Sequence, residues 1–194
     1  RIGDPLNKFG VVLKLKNKKN LPLTIYGSQN LKPIKYLEKK GSAQCKTAVI
    51  FAGLRTKGTT TIRAKKSRNH TELMCKHLSL PVSVKSGKNY DEIKVREMKK
   101  IKPFNYRIPS DISSSAFFIG LAVLSYGSKL LVKDVNINSS RIGIIHILKR
   151  MGANIIFKNQ KIYKGEKIAD IEIKGGRTLN SINCSSKLNS GAID

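Results

Sequence analysis

Four positions carry groups that could take hold of a small anion. Ser42, Ala43 and Gln44 follow Gly41 at the start of an apolar-faced segment that reads as a helix to about Leu54. The first amides of a helix have no carbonyl one turn back, and the helix dipole adds positive potential there, so such an end favours an anion. The Ser42 hydroxyl and the Ala43 N–H can donate to it. The Gln44 amide both donates and accepts, which suits a hydroxyl beside it. The same serine would serve equally well as an ordinary N-cap. Arg68 precedes a second helix, and its planar fork suits phosphate or carboxylate; a plain surface arginine is the alternative. His70 could be a general base, but Asn69 and Glu72 have the spacing of a capping box around it, which makes it a first-turn helix residue.

Other chemistries find little support. Cys45, Cys75 and Cys184 are odd in number and far apart, and His70, His77 and His146 form no HExxH pattern, so neither a disulfide framework nor a metal site is expected. The thiols read as reduced, in a cytoplasmic protein. The charge is extreme, with 38 Lys and Arg against 12 Asp and Glu, formally +26. Only nine of those cations are Arg, and the Lys residues are scattered along the whole chain rather than clustered. No finger, RNP-like or basic-zipper pattern accompanies them, so a solvated lysine surface is expected instead of a nucleic-acid site. Such a surface still draws small anions. No apolar run approaches the roughly 18 residues of a membrane span. The chain opens Arg1-Ile2-Gly3 without an initiator Met, which reads as a fragment.

The elements that must hold the four positions come from an internal repeat of roughly seventy residues. The first unit has a helix from Ser42 to Leu54, a β-branched strand at 58–63, a helix opening near Asn69 and reaching His77, then strands at 81–84 and 92–95 around the turn Gly87-Lys88-Asn89. The second has a helix from Asp111 to Ser125, with Asp111 or a following Ser as N-cap, a strand at 129–132, a helix at 142–151, and a hairpin of 155–157 with 168–173. The clearest echo is the pair Ser67-Arg68 against Ser140-Arg141. The first forty residues look like the end of a further unit, and another begins at Leu179. The order is strand, helix, strand, helix, strand, strand, an α/β class of repeated βαβαββ units. An incomplete set of such units should expose apolar helix faces. The boundary falls near 97–104, dividing the chain into residues 1–100 and 101–194.

Several blocks carry a resemblance. Gly41-Ser42-Ala43-Gln44-Cys45-Lys46-Thr47-Ala48, Ala52-Gly53-Leu54 and Gly58-Thr59-Thr60 come first. Ser67-Arg68-Asn69-His70-Thr71-Glu72, Pro109-Ser110-Asp111-Ile112-Ser113-Ser114, Asn138-Ser139-Ser140-Arg141-Ile142-Gly143 and Ala192-Ile193-Asp194 follow in order. Together they resemble the 5-enolpyruvylshikimate-3-phosphate synthases (3-phosphoshikimate 1-carboxyvinyltransferases). Asn69, Ser110 and Ser139 depart from that family's usual Asp, Gly and Pro.

The resemblance implies an inside-out α/β barrel fold, with three units in each of two domains that close over the substrates. This chain would hold the end of one domain and the start of the other. It implies transfer of the enolpyruvyl group of phosphoenolpyruvate to the 5-hydroxyl of shikimate 3-phosphate, without a cofactor, in a protein monomeric at full length. Ser42, Ala43, Gln44 and Arg68 would bind substrate, with Gln44 also reaching phosphoenolpyruvate. Asp194 would accept or relay the proton of the attacking hydroxyl. Arg141 would be structural. The piece alone is expected to be inactive. A relative acting on UDP-N-acetylglucosamine and a polyanion-binding module are the alternatives.

Overall fold

Leading into the first full repeat are α1 (Gly3–Phe9), β1 (Val12–Lys16) and β2 (Asn20–Tyr26). These two strands form an antiparallel hairpin, and β2 is exposed along its whole length. The fully buried Phe9 anchors α1 in the core of the first unit. The computed structural model describes residues 1–17, 20–185, 188, 191 and 192. It divides into two compact units, Arg1–Pro103 and Phe104–Asp194.

The rest of the first unit is β3 (Lys35–Glu38), α2 (Ala43–Leu54), β4 (Thr59–Lys65), α3 (His70–His77), β5 (Val82–Ser86) and β6 (Tyr90–Arg96). Its sheet runs β3-β4-β6-β5, with β3 parallel to β4 and the other pairs antiparallel. Alternation along β4 buries Thr60, Ile62 and Ala64 on one face. Spacing along α2 lays Cys45, Val49, Ile50, Gly53 and Leu54 against that face. Gly53 allows the close approach: a Cβ there would lie 3.1 Å from Val95 Cγ1 and 3.2 Å from Thr60 Cβ. β3 had no clear signal in the sequence, since Lys35-Tyr36-Leu37-Glu38 is short and half charged.

The second unit repeats the plan with α4 (Ile112–Leu124), β7 (Lys129–Asn136), α5 (Gly143–Arg150), β8 (Asn154–Tyr163) and β9 (Glu166–Lys174). Its antiparallel sheet runs β7-β9-β8. In place of a first strand there is one parallel bridge, Ser110 to Val135, on the side of β7 where β3 lies beside β4. The hairpin strands are longer than the sequence suggested. Against β9, both β7 and β8 carry register shifts, at 132–135 and 158–161, past which the pairing continues. The core gathers Ile112, Ile119, Val123, Val135, Ile145, Ile171 and Ile173. The outer face of α4 leaves Phe117, Phe118, Leu121 and Leu124 exposed. Among the described residues no helix is long and apolar enough to cross a membrane.

Candidate functional site

The loop that launches α2 is organised from below by a buried carboxylate. Glu38, 3% exposed at the end of β3, accepts from the N–H of Lys40 at 3.0 Å and of Gly41 at 2.6 Å. Gly41 takes a left-handed φ of +72°, with the Lys66 carbonyl 3.4 Å from where a Cβ would stand. Ser42 is then extended, and its Oγ accepts from Cys45 N–H at 3.3 Å. Helical geometry gives the Ala43 and Gln44 amides no acceptor inside the helix. Gln44 is exposed, not turned into the interior.

Ala43, Gln44, Thr47, Phe51, Arg68 and Thr71 line one groove of about 440 Å³. Three contacts join its two walls. Lys46 Nζ donates to the Arg68 carbonyl at 2.8 Å and pairs with Glu72 Oε1 at 2.6 Å; the Thr47 and Thr71 hydroxyls lie 2.6 Å apart. The expected capping box is corrected here. Asn69 makes no side-chain cap to α3, and Glu72, instead of reaching back to its own helix start, is buried against Lys46. Burial, reinforced by Glu72, pushes the Cys75 thiol up to about 11, so it stays protonated and unreactive at neutral pH.

The structure thus brings Ala43, Gln44 and Arg68 to one groove, with Ser42 capping the helix that opens it. Asp194 lies outside the described residues. Lys46 and Glu72 were missed as members of this neighbourhood. Their signal was present: a lone cation beside the apolar positions 45, 49 and 50, and an acid three residues before Cys75 on the buried face of α3. Cys45 and Cys75 are buried free thiols, and Cys184 is exposed.

The repeat-equivalent helix start in the second unit also borders a groove, of about 270 Å³, lined by Ile112, Ser113, Ala116 and Arg141, but here the protein's own charges meet at the cap. Asp111 Oδ2 accepts from the N–H and the Oγ of Ser114, each at 2.9 Å, and Arg141 pairs with Asp111 Oδ1 at 3.1 Å and donates to Ser113 Oγ. Partial burial pushes the Asp111 carboxyl up, but the Ser114 hydrogen bonds and Arg141 outweigh it and hold the group below its ordinary 3.8. The expected structural role of Arg141 accords with these contacts.

A βαβαββ unit followed by an αβαββ unit of the same plan defines the repeated α/β class expected from the sequence. Comparison with known proteins narrows this. The family model described as EPSP synthase (3-phosphoshikimate 1-carboxyvinyltransferase) matches residues 1–184, and the chain belongs to that family. The 3-phosphoshikimate 1-carboxyvinyltransferase of Caldicellulosiruptor bescii is 39% identical over 94% of this chain and 40% of its own length. That of Ruthia magnifica is 40% identical over 100% of this chain and 43% of its own length. EPSP synthase from Acinetobacter baumannii superposes with a TM-score of 0.84 at 38% identity, over 99% of this chain and 43% of that one. The enolpyruvyl transferase NikO from Streptomyces tendae shares the fold, with a TM-score of 0.62 at 14% identity over 90% of this chain and 41% of that one. The chain therefore spans about two fifths of the length of the relatives it matches.

Proposed function

We propose that the protein carrying this chain is a 3-phosphoshikimate 1-carboxyvinyltransferase, and that these residues supply the shikimate 3-phosphate half of its site. The carrying observation is the shared groove: the α2 N-terminus with Ala43 and Gln44 on one wall and Arg68 on the other. Shikimate 3-phosphate brings a phosphate and a carboxylate, which suit amide donors, the Ser42 hydroxyl and a guanidinium. Gln44 reaches toward phosphoenolpyruvate as well as the sugar acid. The 5-hydroxyl oxygen adds to C2 of phosphoenolpyruvate while C3 takes a proton. Loss of that proton and of inorganic phosphate then leaves the enolpyruvyl ether. Asp194 accepts or relays the hydroxyl proton, and side-chain cations stabilise the charge that develops.

In this reading residues 1–100 and 101–194 belong to successive domains, the protein is cytoplasmic and monomeric, and neither nucleic acid nor membrane is a partner. Phosphate release by the complete protein tests it. We expect turnover with shikimate 3-phosphate and phosphoenolpyruvate and none with UDP-N-acetylglucosamine. Turnover with the UDP-sugar instead would refute the substrate assignment. The 194-residue chain alone is expected to release no phosphate, and measurable turnover would refute that corollary.

A further inference from the structure

The first unit contains a buried charge pair that the second unit does without. Counted from the helix caps Ser42 and Asp111, Lys46 corresponds to Ser115; counted from Ser67-Arg68 and Ser140-Arg141, Glu72 corresponds to Ile145. Ser115 is buried and turns its hydroxyl onto its own helix at the Asp111 carbonyl, 2.7 Å away, and Ile145 is a fully buried core residue. The same architecture is thus built once with Lys and Glu at these places and once with Ser and Ile.

A buried ion pair adds little net stability, because desolvation offsets the attraction and well-packed apolar residues often do as well or better. What it adds is direction. Lys46 and Glu72 are 3% and 7% exposed, and Lys46 Nζ holds two acceptors at once, the Glu72 carboxylate and the backbone carbonyl of Arg68. One ammonium therefore fixes three things: the first turn of α2, the first turn of α3 and the backbone of residue 68. In the second unit Arg141 is held by its own guanidinium, on Asp111 and Ser113.

Resting on the reading of the groove as the shikimate 3-phosphate half-site, we infer that Lys46 and Glu72 are positioning residues for substrate. They set Arg68 against the Ala43–Gln44 helix end so that both meet the same anionic ligand. They do not touch substrate; they act through Arg68. Small displacements of a charged clamp lower affinity steeply, because the donors must converge on one anion.

The test is a double-mutant cycle in the complete protein, reading shikimate 3-phosphate affinity by calorimetry with a thermal melt of each variant. Lys46→Met/Glu72→Ile, which copies the apolar solution of the second unit at position 72, is expected to weaken binding by about tenfold when Arg68 is present and by less than about twofold on an Arg68→Met background. If that variant does not fold, Glu72→Gln preserves size and an acceptor for Lys46 and carries the same comparison. Equal losses with and without Arg68, or no loss at all, would overturn the inference while leaving the site reading intact. Unchanged affinity on Arg68→Met alone would instead overturn the site reading itself.

Discussion

The α2 and α4 helix starts are made from matching parts and reach opposite electrostatic ends. Each is capped by a side-chain oxygen, and each has an arginine seventy-odd residues out of phase with its counterpart. At α2 the cap is the neutral Ser42 hydroxyl, and Ala43 and Gln44 line a groove with Arg68. At α4 the cap is the Asp111 carboxylate, which answers the helix dipole itself and draws Arg141 onto it at 3.1 Å. The repeat supplies two equivalent helix starts, each beside a groove that its arginine also lines. On the proposed function, the charge of the cap residue separates a helix start that meets a ligand from one that answers the fold's own arginine.

Transplanting that residue should break the difference most severely. Ser42→Asp keeps a good N-cap, so the melting temperature of the protein should hold or rise. A fixed carboxylate beside the groove should weaken shikimate 3-phosphate binding by about a hundredfold or more, from like-charge repulsion at short range. Calorimetric titration measures both halves of that statement. Gln44→Ala is next: we expect kcat/KM of the complete protein to fall by about tenfold or more, the loss of a donor–acceptor group at the reacting pair. Normal kinetics there would remove Gln44 from the site.

The remaining two predictions act on the other helix. Asp111→Ala should lower stability in urea unfolding by about 1 kcal/mol or more, by loss of a cap and release of Arg141, with shikimate 3-phosphate affinity unchanged. The smallest effect is in acid. A carboxyl held below its ordinary 3.8 in the folded state contributes stability that is fully present above that value and drains away as pH falls through the folded value. Asp170 and Glu172 are lowered too, mainly by a hydrogen bond from the Asp134 N–H in the first case and by Lys158 in the second. The urea midpoint should therefore fall below about pH 4, and Asp111→Asn should flatten part of that slope.

Much of this contrast could be read from the chain before any coordinates. Periodicity marked α2 and α4, β-branched runs marked β4 and β9, and the Ser-Arg echo fixed the repeat, because those signals are local. Ser42, Ala43, Gln44 and Arg68 were legible as anion-binding types, although only the resemblance, not the residues, added a substrate role for Ser42 to the capping role the structure shows. What failed was pairing at a distance. Asn69 and Glu72 had capping-box spacing, but Lys46 lies twenty-six residues upstream of Glu72 and becomes its partner only once β4 has turned the chain back. β3 was missed because its place in the sheet comes from its parallel neighbour, not from its own residues.

The central claim is that the α2 helix start, and not its counterpart at α4, receives the substrate phosphate. Amide chemical shifts of the isotope-labelled protein, followed as shikimate 3-phosphate is added, test it directly. The account predicts saturable shifts at Ala43 and Gln44, with Ile112 and Ser113 unmoved. Saturable shifts at the α4 start, or small unsaturated shifts spread over the lysine surface, would contradict it.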